Sequence, residues 1–218
     1  MSFLDKLANN KNEASLSHKM RSKRFVFFLS LIKELPRPLS ILDIGGTEAF
    51  WKAMRFNEEG IHITLLNLTE ASITNPYMQS VAGDATNLHM FADQSFDLVF
   101  SNSVIEHLFT WENQQKMAAE VQRVSKRFFI QTPNYWFPVE PHWVFPLFQY
   151  LPFSLRVFLT RNFSLGHIQK SLSKREAIEQ VKEIRLLSLR EMKQLFPDAS
   201  IYAEKFVGLD KSFIAYRV

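Results

Sequence analysis

The residues best suited to chemistry fall in five short runs, each where an apolar segment gives way to polar side chains. The first is Asp43-Ile44-Gly45-Gly46-Thr47. Paired glycines let the backbone approach a ligand closely because they lack Cβ. The N-terminal amides of the helix after such a turn would then be aimed at that ligand. Asp43 supplies a negative charge for a cationic group, directly or through water. The second run, Asn67-Leu68, offers an amide that can donate to and accept from a vicinal diol. The third, Gly83-Asp84-Ala85, offers a carboxylate to an exocyclic amine. The fourth runs from Ser101 through Glu106 and His107, and the fifth from Asn134 through Trp136, Glu140 and His142 to Trp143. A group titrating near neutrality suits removal of a proton from an oxygen or nitrogen nucleophile. His107 and His142 are therefore candidate general bases, with Glu106 or Glu140 to orient them.

Elements that would position these runs are legible around them. Ser40–Ile44, Ile61–Leu66, Ser80–Ala82, Phe96–Phe100 and Phe128–Gln131 read as five strands, the fourth nearly continuous in apolar residues as a central parallel strand requires. Glu112–Val124 reads as a helix on Met117, Val121 and Val124. The spacing of Phe25, Phe28, Leu29, Ile32 and Leu35 predicts an N-terminal helix over 13–35, stopped by Pro36 and Pro38. Ser173-x-x-Glu176 and Ser188-x-x-Glu191 have the capping-box pattern of helix starts. Two strand-like segments, Ser200–Phe206 and Ser212–Val218, close the chain. Strands alternating with helices imply an α/β fold: a Rossmann-like, seven-stranded, mostly parallel sheet with an antiparallel last strand and helices on both faces. In such a sheet ligands bind beyond the carboxyl ends of the strands, where the polar runs stand.

The segment from Ile41 to Thr132 resembles the class I S-adenosylmethionine-dependent methyltransferases, in particular the small-molecule, type 11-like group with a Phe-Asp-apolar-apolar fourth strand followed by Glu-His. The resemblance implies S-adenosylmethionine as cofactor. It places Asp43, Gly45, Gly46 and Thr47 against the methionine part, Asn67 and Leu68 at the ribose, Asp84 and Ala85 at the adenine, and Ser101 at the pocket floor. The sequence departs from the family's Asp-x-Gly-x-Gly-x-Gly run, with Thr47 and Ala49 at the second and third glycine positions. Asn67 replaces the usual acid after the second strand, giving up a charge-assisted bond unless Glu70 substitutes.

Residues 135–170 combine prolines with aromatic bulk and a few polar groups, as a pocket wall does. The Thr132-Pro133-Asn134 turn before them resembles methyltransferases of bacterial surface-polysaccharide and lipid pathways, in which such a turn opens a cap over the substrate. Asn134, Trp136 and Trp143 are the candidate substrate-binding residues. The whole chain then reads as one domain: helix 13–35, cofactor core 40–134, cap 135–170, and closing helices and strands 171–218. Phe153, Phe158, Arg156 and Arg161 also give the cap the composition of a membrane interface.

With 218 residues, 46% hydrophobic and 22% charged, the chain suits a single buried core. It lacks cysteine, which excludes disulfides and thiolate zinc sites and fits the cytoplasm. No acid or histidine cluster has metal-ligand spacing, so no metal is expected. No apolar run approaches a membrane span, and the N-terminus, with Asp5, Lys6 and Lys11, has no signal-peptide core. The net charge of +4 decides little. The expected partner is a small-molecule acceptor, a lipid-linked one included, with peripheral membrane contact in that case. An RNA substrate is the enzymatic alternative, bound by Lys19, Arg21, Lys23 and Arg24. Ser101-Asn102-Ser103-Val104 lacks the Pro-Pro-aromatic turn of base-amine methylation and argues against it. A non-catalytic binding protein is the remaining alternative. A nicotinamide dehydrogenase is disfavoured by the missing G-x-G-x-x-G.

Overall fold

The computed structural model describes residues 16–56 and 59–218, so the expected helix start at Glu13 lies outside the described residues. Helix α1 (Leu16–Ile32) leads into strand β1 (Leu39–Ile44), short helix α2 (Glu48–Ala53) and strand β2 (Ile61–Asn67). Strands β3 (Met78–Ala82) and β4 (Leu98–Asn102) precede a 3-10 turn, Ile105–His107, then helix α3 (Trp111–Val124) and strand β5 (Phe128–Pro133). The order in the sheet is β3-β2-β1-β4-β5-β9-β8. The first five strands are parallel, and β9 (Leu209–Arg217) is antiparallel to both β5 and β8 (Ser200–Phe206). The expected Rossmann-like sheet is therefore present.

Its two faces are covered by different helices. Phe25, Phe28 and Ile32 of α1 and Trp51 of α2 bury against Ile41, Ile63, Phe100 and Phe129. Met117, Val121 and Val124 of α3, with Met192 and Leu195 of α6 (Leu189–Leu195), bury against Leu42, Val99, Phe128 and Phe213. Alternation along each strand thus feeds two cores. Fully burying side chains of this size stabilises by roughly 1.5–3 kcal/mol each.

The sequence reading is corrected at three points. Strands and helices do not alternate throughout: residues 68–77 and 83–97 connect β2, β3 and β4 without a helix. Side chains from neighbouring helices satisfy these loops instead. Glu48 accepts from the Thr74 hydroxyl at 2.6 Å and the Asn75 amide at 3.0 Å. Arg123 donates to the carbonyls of Leu88 and Phe91, both at 2.9 Å.

Second, the cap is not wholly irregular. It forms a two-strand hairpin, β6 (Val139–Glu140) and β7 (Phe145–Pro146), a 3-10 turn at Phe148–Tyr150, and helix α4 (Phe153–Asn162). Trp143, Phe148 and Val157 pack with Ala177 and Val181 of helix α5 (Lys174–Glu183), giving the cap its own small core. Third, only Ser188 and Glu191 make the reciprocal capping box. Ser173 does cap α5, but Glu176 accepts from the Leu172 amide at 2.7 Å.

Candidate functional site

Strand order reverses on either side of β1, whose neighbours are β2 and β4, and ligands of open α/β sheets sit at that switch point. Gly45 takes φ +75°, and a Cβ there would lie 2.4 Å from Val104 Cγ2. A Cβ on Gly46 would fall 1.7 Å from Asp43 Oδ2. Both glycines are therefore required by the turn itself. Asp43 is 1% exposed, and Trp51 Nε1 donates to its Oδ2 at 2.7 Å. Burial pushes its carboxyl up to about 8, against the opposing Trp51 hydrogen bond.

The other expected cofactor residues stand around this turn. Asn67 ends β2 and donates Nδ2 to the Gly46 carbonyl at 2.9 Å, so part of its capacity holds the turn. Leu68 is exposed and Ala85 buried. Asp84 accepts from the amide and the hydroxyl of Thr86, both at 2.8 Å, through Oδ1. Ser101 is fully buried and donates to the Ile44 carbonyl at 3.2 Å. Thr47 is the N-cap of α2, accepting from the Phe50 amide at 3.2 Å, and Ala49 lies within that helix. The departures from the glycine run therefore reflect a helix that starts at once, where a cap is worth more than a flexible turn. Glu70, weighed as a substitute acid, is exposed.

The two candidate bases come together. The rings of His107 and His142 meet edge to face with centroids 4.9 Å apart. Glu140 accepts from His142 Nδ1 at 2.7 Å, and its other oxygen accepts the amides of His142 and Trp143, both at 2.7 Å. Burial would lower the His142 pKa, but the Glu140 hydrogen bond and the charges of Glu140, Glu106 and Glu183 outweigh it and raise it. Glu140 is thus the orienting carboxylate for His142. The carboxylate on His107 is Glu183 of α5, at 3.0 Å, which the sequence reading missed. Glu106 does not orient either ring by a hydrogen bond recorded among the described residues. It is fully buried, takes the Thr132 hydroxyl on Oε2 at 3.0 Å, and leaves Oε1 without a partner.

Linear spacing gave no metal cluster, yet folding brings one ligand atom each of Glu106, His107 and His142 within 4.8 Å of one another. The three come from a strand end and a distant cap, which no spacing rule connects.

The expected substrate residues divide. Trp136 is 65% exposed and lines a cavity of about 740 Å³ under the cap, and Trp143 reaches the same wall. Trp143 is otherwise buried, with Nε1 donating to Thr160 at 2.9 Å. Asn134 is occupied at both ends, by the Asp210 carbonyl at 2.7 Å and the Trp136 amide at 3.0 Å, and acts as a structural turn.

A second missed feature is Arg24 of α1. It bonds Asn102, Gln131 at 2.9 Å and Glu204 at 2.6 Å, tying the helix across the ends of β4, β5 and β8. Its side chain is 11% exposed. Two of the four basic residues expected to bind RNA, Arg21 and Arg24, are therefore partly buried, and do not form an outward basic face. Burial also lowers the Arg21 pKa, as does neighbouring Arg24.

Residues 42–127 match a family model described as a methyltransferase domain. Among solved structures, the chain is 13% identical to a SAM-dependent methyltransferase from Methanosarcina mazei, with a TM-score of 0.56 over 86% of this chain and 94% of that one. It is 12% identical to the 1,6-didemethyltoxoflavin-N1-methyltransferase of Burkholderia thailandensis, solved with 1,6-didemethyltoxoflavin and S-adenosylhomocysteine bound (TM-score 0.54; 98% and 83% covered). A Nostoc punctiforme protein provisionally named an O-methyltransferase is 13% identical (TM-score 0.52), and the 93% of this chain that aligns spans 58% of it. No match is found among curated proteins. Residues 42–127 thus carry a match to a methyltransferase domain, and the sheet around them has the fold of these solved methyltransferases. No helix among the described residues is long and apolar enough to cross a membrane.

Proposed function

We propose that the chain transfers a methyl group from S-adenosylmethionine to an oxygen or nitrogen of a small-molecule acceptor held under the cap. The observation that carries this reading is Asp43, a carboxylate buried at the switch point beside two obligatory glycines. Its raised pKa is what a site for a cationic ligand produces before the cation arrives. The donor set fits the cofactor: Asp43 for the methionine end, the Asn67 amide for the ribose, Asp84 for the adenine, and Ser101 below.

When bound, the cofactor supplies an electrophilic methyl group on a sulfonium whose departure needs no protonation. The chain's residues must align the acceptor and take its proton. His142 is the base best prepared for that, because Glu140 fixes its Nδ1 and leaves Nε2 to accept. His107, held by Glu183, meets the His142 ring edge to face. Mixing the protein with methyl-labelled cofactor and a panel of phenolic, amine and sugar acceptors tests the reading. Label transfer that disappears in Asp43→Ala supports it, and an unchanged rate in that variant refutes it.

A lipid-linked acceptor is the finer form of this reading. Phe153, Phe158 and Phe163 stand exposed along and beside α4, as a membrane-contacting face would. Absence of co-sedimentation with phosphatidylglycerol vesicles would eliminate it.

A further inference from the structure

Three buried side-chain polar atoms have no hydrogen-bond partner among the described residues: Glu106 Oε1, Gln149 Oε1 and Arg156 Nε. Such atoms are costly unless something outside the fold satisfies them. Gln149 and Arg156 both line the 740 Å³ cavity. Gln149 donates Nε2 to the carbonyls of Tyr135 at 3.0 Å and Phe137 at 2.7 Å, which fixes its amide and leaves Oε1 to accept. Arg156 lies 5.8 Å from the Phe153 ring centroid, and no carboxylate among the described residues bonds its guanidinium. Burial lowers its pKa, while Tyr135 and Glu140 act the other way.

The remaining charges of the wall do not neutralise it. Glu140 is committed to His142 and Trp143, and Glu191 to Arg185 at 2.5 Å. Lys182 and Arg190 add exposed positive charge at the rim. Tyr135, Trp136 and Phe153 line the same cavity, with Phe153 near the guanidinium. The guanidinium fork can bond a carboxylate or a phosphate through two parallel N–H bonds, as a Lys ammonium cannot.

We infer that this cavity takes an amphipathic anion: a carboxylate or phosphate ester on Arg156, a hydroxyl or N–H donated to Gln149 Oε1, and an aromatic body against Tyr135, Trp136 and Phe153. Calling it the acceptor site rests on the methyl-transfer reading above, but the affinity itself does not. Phenyl phosphate, phenethyl alcohol and inorganic phosphate are titrated into the full chain, following tryptophan fluorescence and heat. Phenyl phosphate binds at least tenfold tighter than either of the others. Arg156→Met abolishes that preference and leaves S-adenosylhomocysteine affinity and Tm unchanged, because the half-buried guanidinium holds no carboxylate partner whose loss would unsettle the fold.

Equal binding of phenethyl alcohol, or an Arg156→Met protein that keeps the preference, overturns the inference. Phosphatidylglycerol vesicles that displace phenyl phosphate would put the anion on a membrane lipid and overturn the small-molecule form. Selective phenyl phosphate binding without S-adenosylhomocysteine binding would leave the cavity assignment standing and fell the methyl-transfer reading. The reverse pattern would do the opposite.

Discussion

If Asp43 holds the methionine end of the cofactor as proposed, cofactor affinity should depend on pH. Burial is the dominant cause of its raised pKa of about 8, and the bond from Trp51 Nε1 offsets only part of it. At pH 6 the carboxyl is two units below that value. Ionising it to meet the ammonium of the methionine moiety then costs about 2.7 kcal/mol, at about 1.4 kcal/mol per unit. S-adenosylhomocysteine should therefore bind about 100-fold more weakly at pH 6 than at pH 8.5 or above. The slope is tenfold per unit below pH 8, for as long as the carboxyl stays ionised in the complex, and it flattens above pH 8, where the free carboxyl is ionised too. Calorimetry in matched buffers reads this directly, with 5′-methylthioadenosine, which lacks the amino-acid end, as the flat control. Asp43→Asn should bind weakly at every pH and lose the slope.

The same group gives an independent stability signature. A carboxyl whose folded pKa is raised holds its proton in the fold between about pH 4 and 8 while the unfolded chain releases it, so stability falls as pH rises through that window. Tm of the wild type should drop across it more than Tm of Asp43→Asn. A flat affinity profile from pH 6 to 8.5, or an identical slope in the variant, refutes the reasoning.

Three further outcomes follow from the acceptor side and from α1. His142→Gln should lower kcat by about 100-fold or more with S-adenosylhomocysteine affinity intact, and His107→Gln should reduce it less. Turnover unaffected by both would remove the proton-accepting role. Glu140→Gln takes away the hydrogen bond and charge that raise the His142 pKa. The free-base form then persists to lower pH, and the rising limb of the kcat profile should move to lower pH. Arg24→Met leaves Glu204, 7% exposed in its side chain, without its partner, and should cost roughly 3 kcal/mol in a urea titration.

What the sequence made legible was what depends on short-range pattern. Ile41–Thr47 and Phe96–Phe100 could be read because a parallel strand buried on both faces is nearly continuous in apolar residues, and because the turn after β1 needs glycine for local steric reasons. That His107 and His142 could reach one cleft was legible from chemistry, since one follows the fourth strand and the other lies in the cap inserted after the fifth. The carboxylate on His107 was not: Glu183 lies 76 positions away on α5, among other acids of a solvated helix. Arg24 looked like one basic residue of four because its partners, Asn102, Gln131 and Glu204, come from three different strands. Helix α4 was hidden by flanking prolines and an apolar composition without a clear polar face, since the cap buries one side of it and exposes Phe153 and Phe158 on the other. Asn134, taken as a ligand group, is consumed by backbone partners that only the tertiary structure supplies.

The most direct test of the central claim is a calorimetric titration of the purified chain with S-adenosylhomocysteine at pH 8.5, beside Asp43→Ala. The account predicts one site with affinity in the micromolar range, abolished in the variant. A wild-type protein that takes up no ligand at millimolar concentration, or a variant that binds as the wild type does, would contradict it.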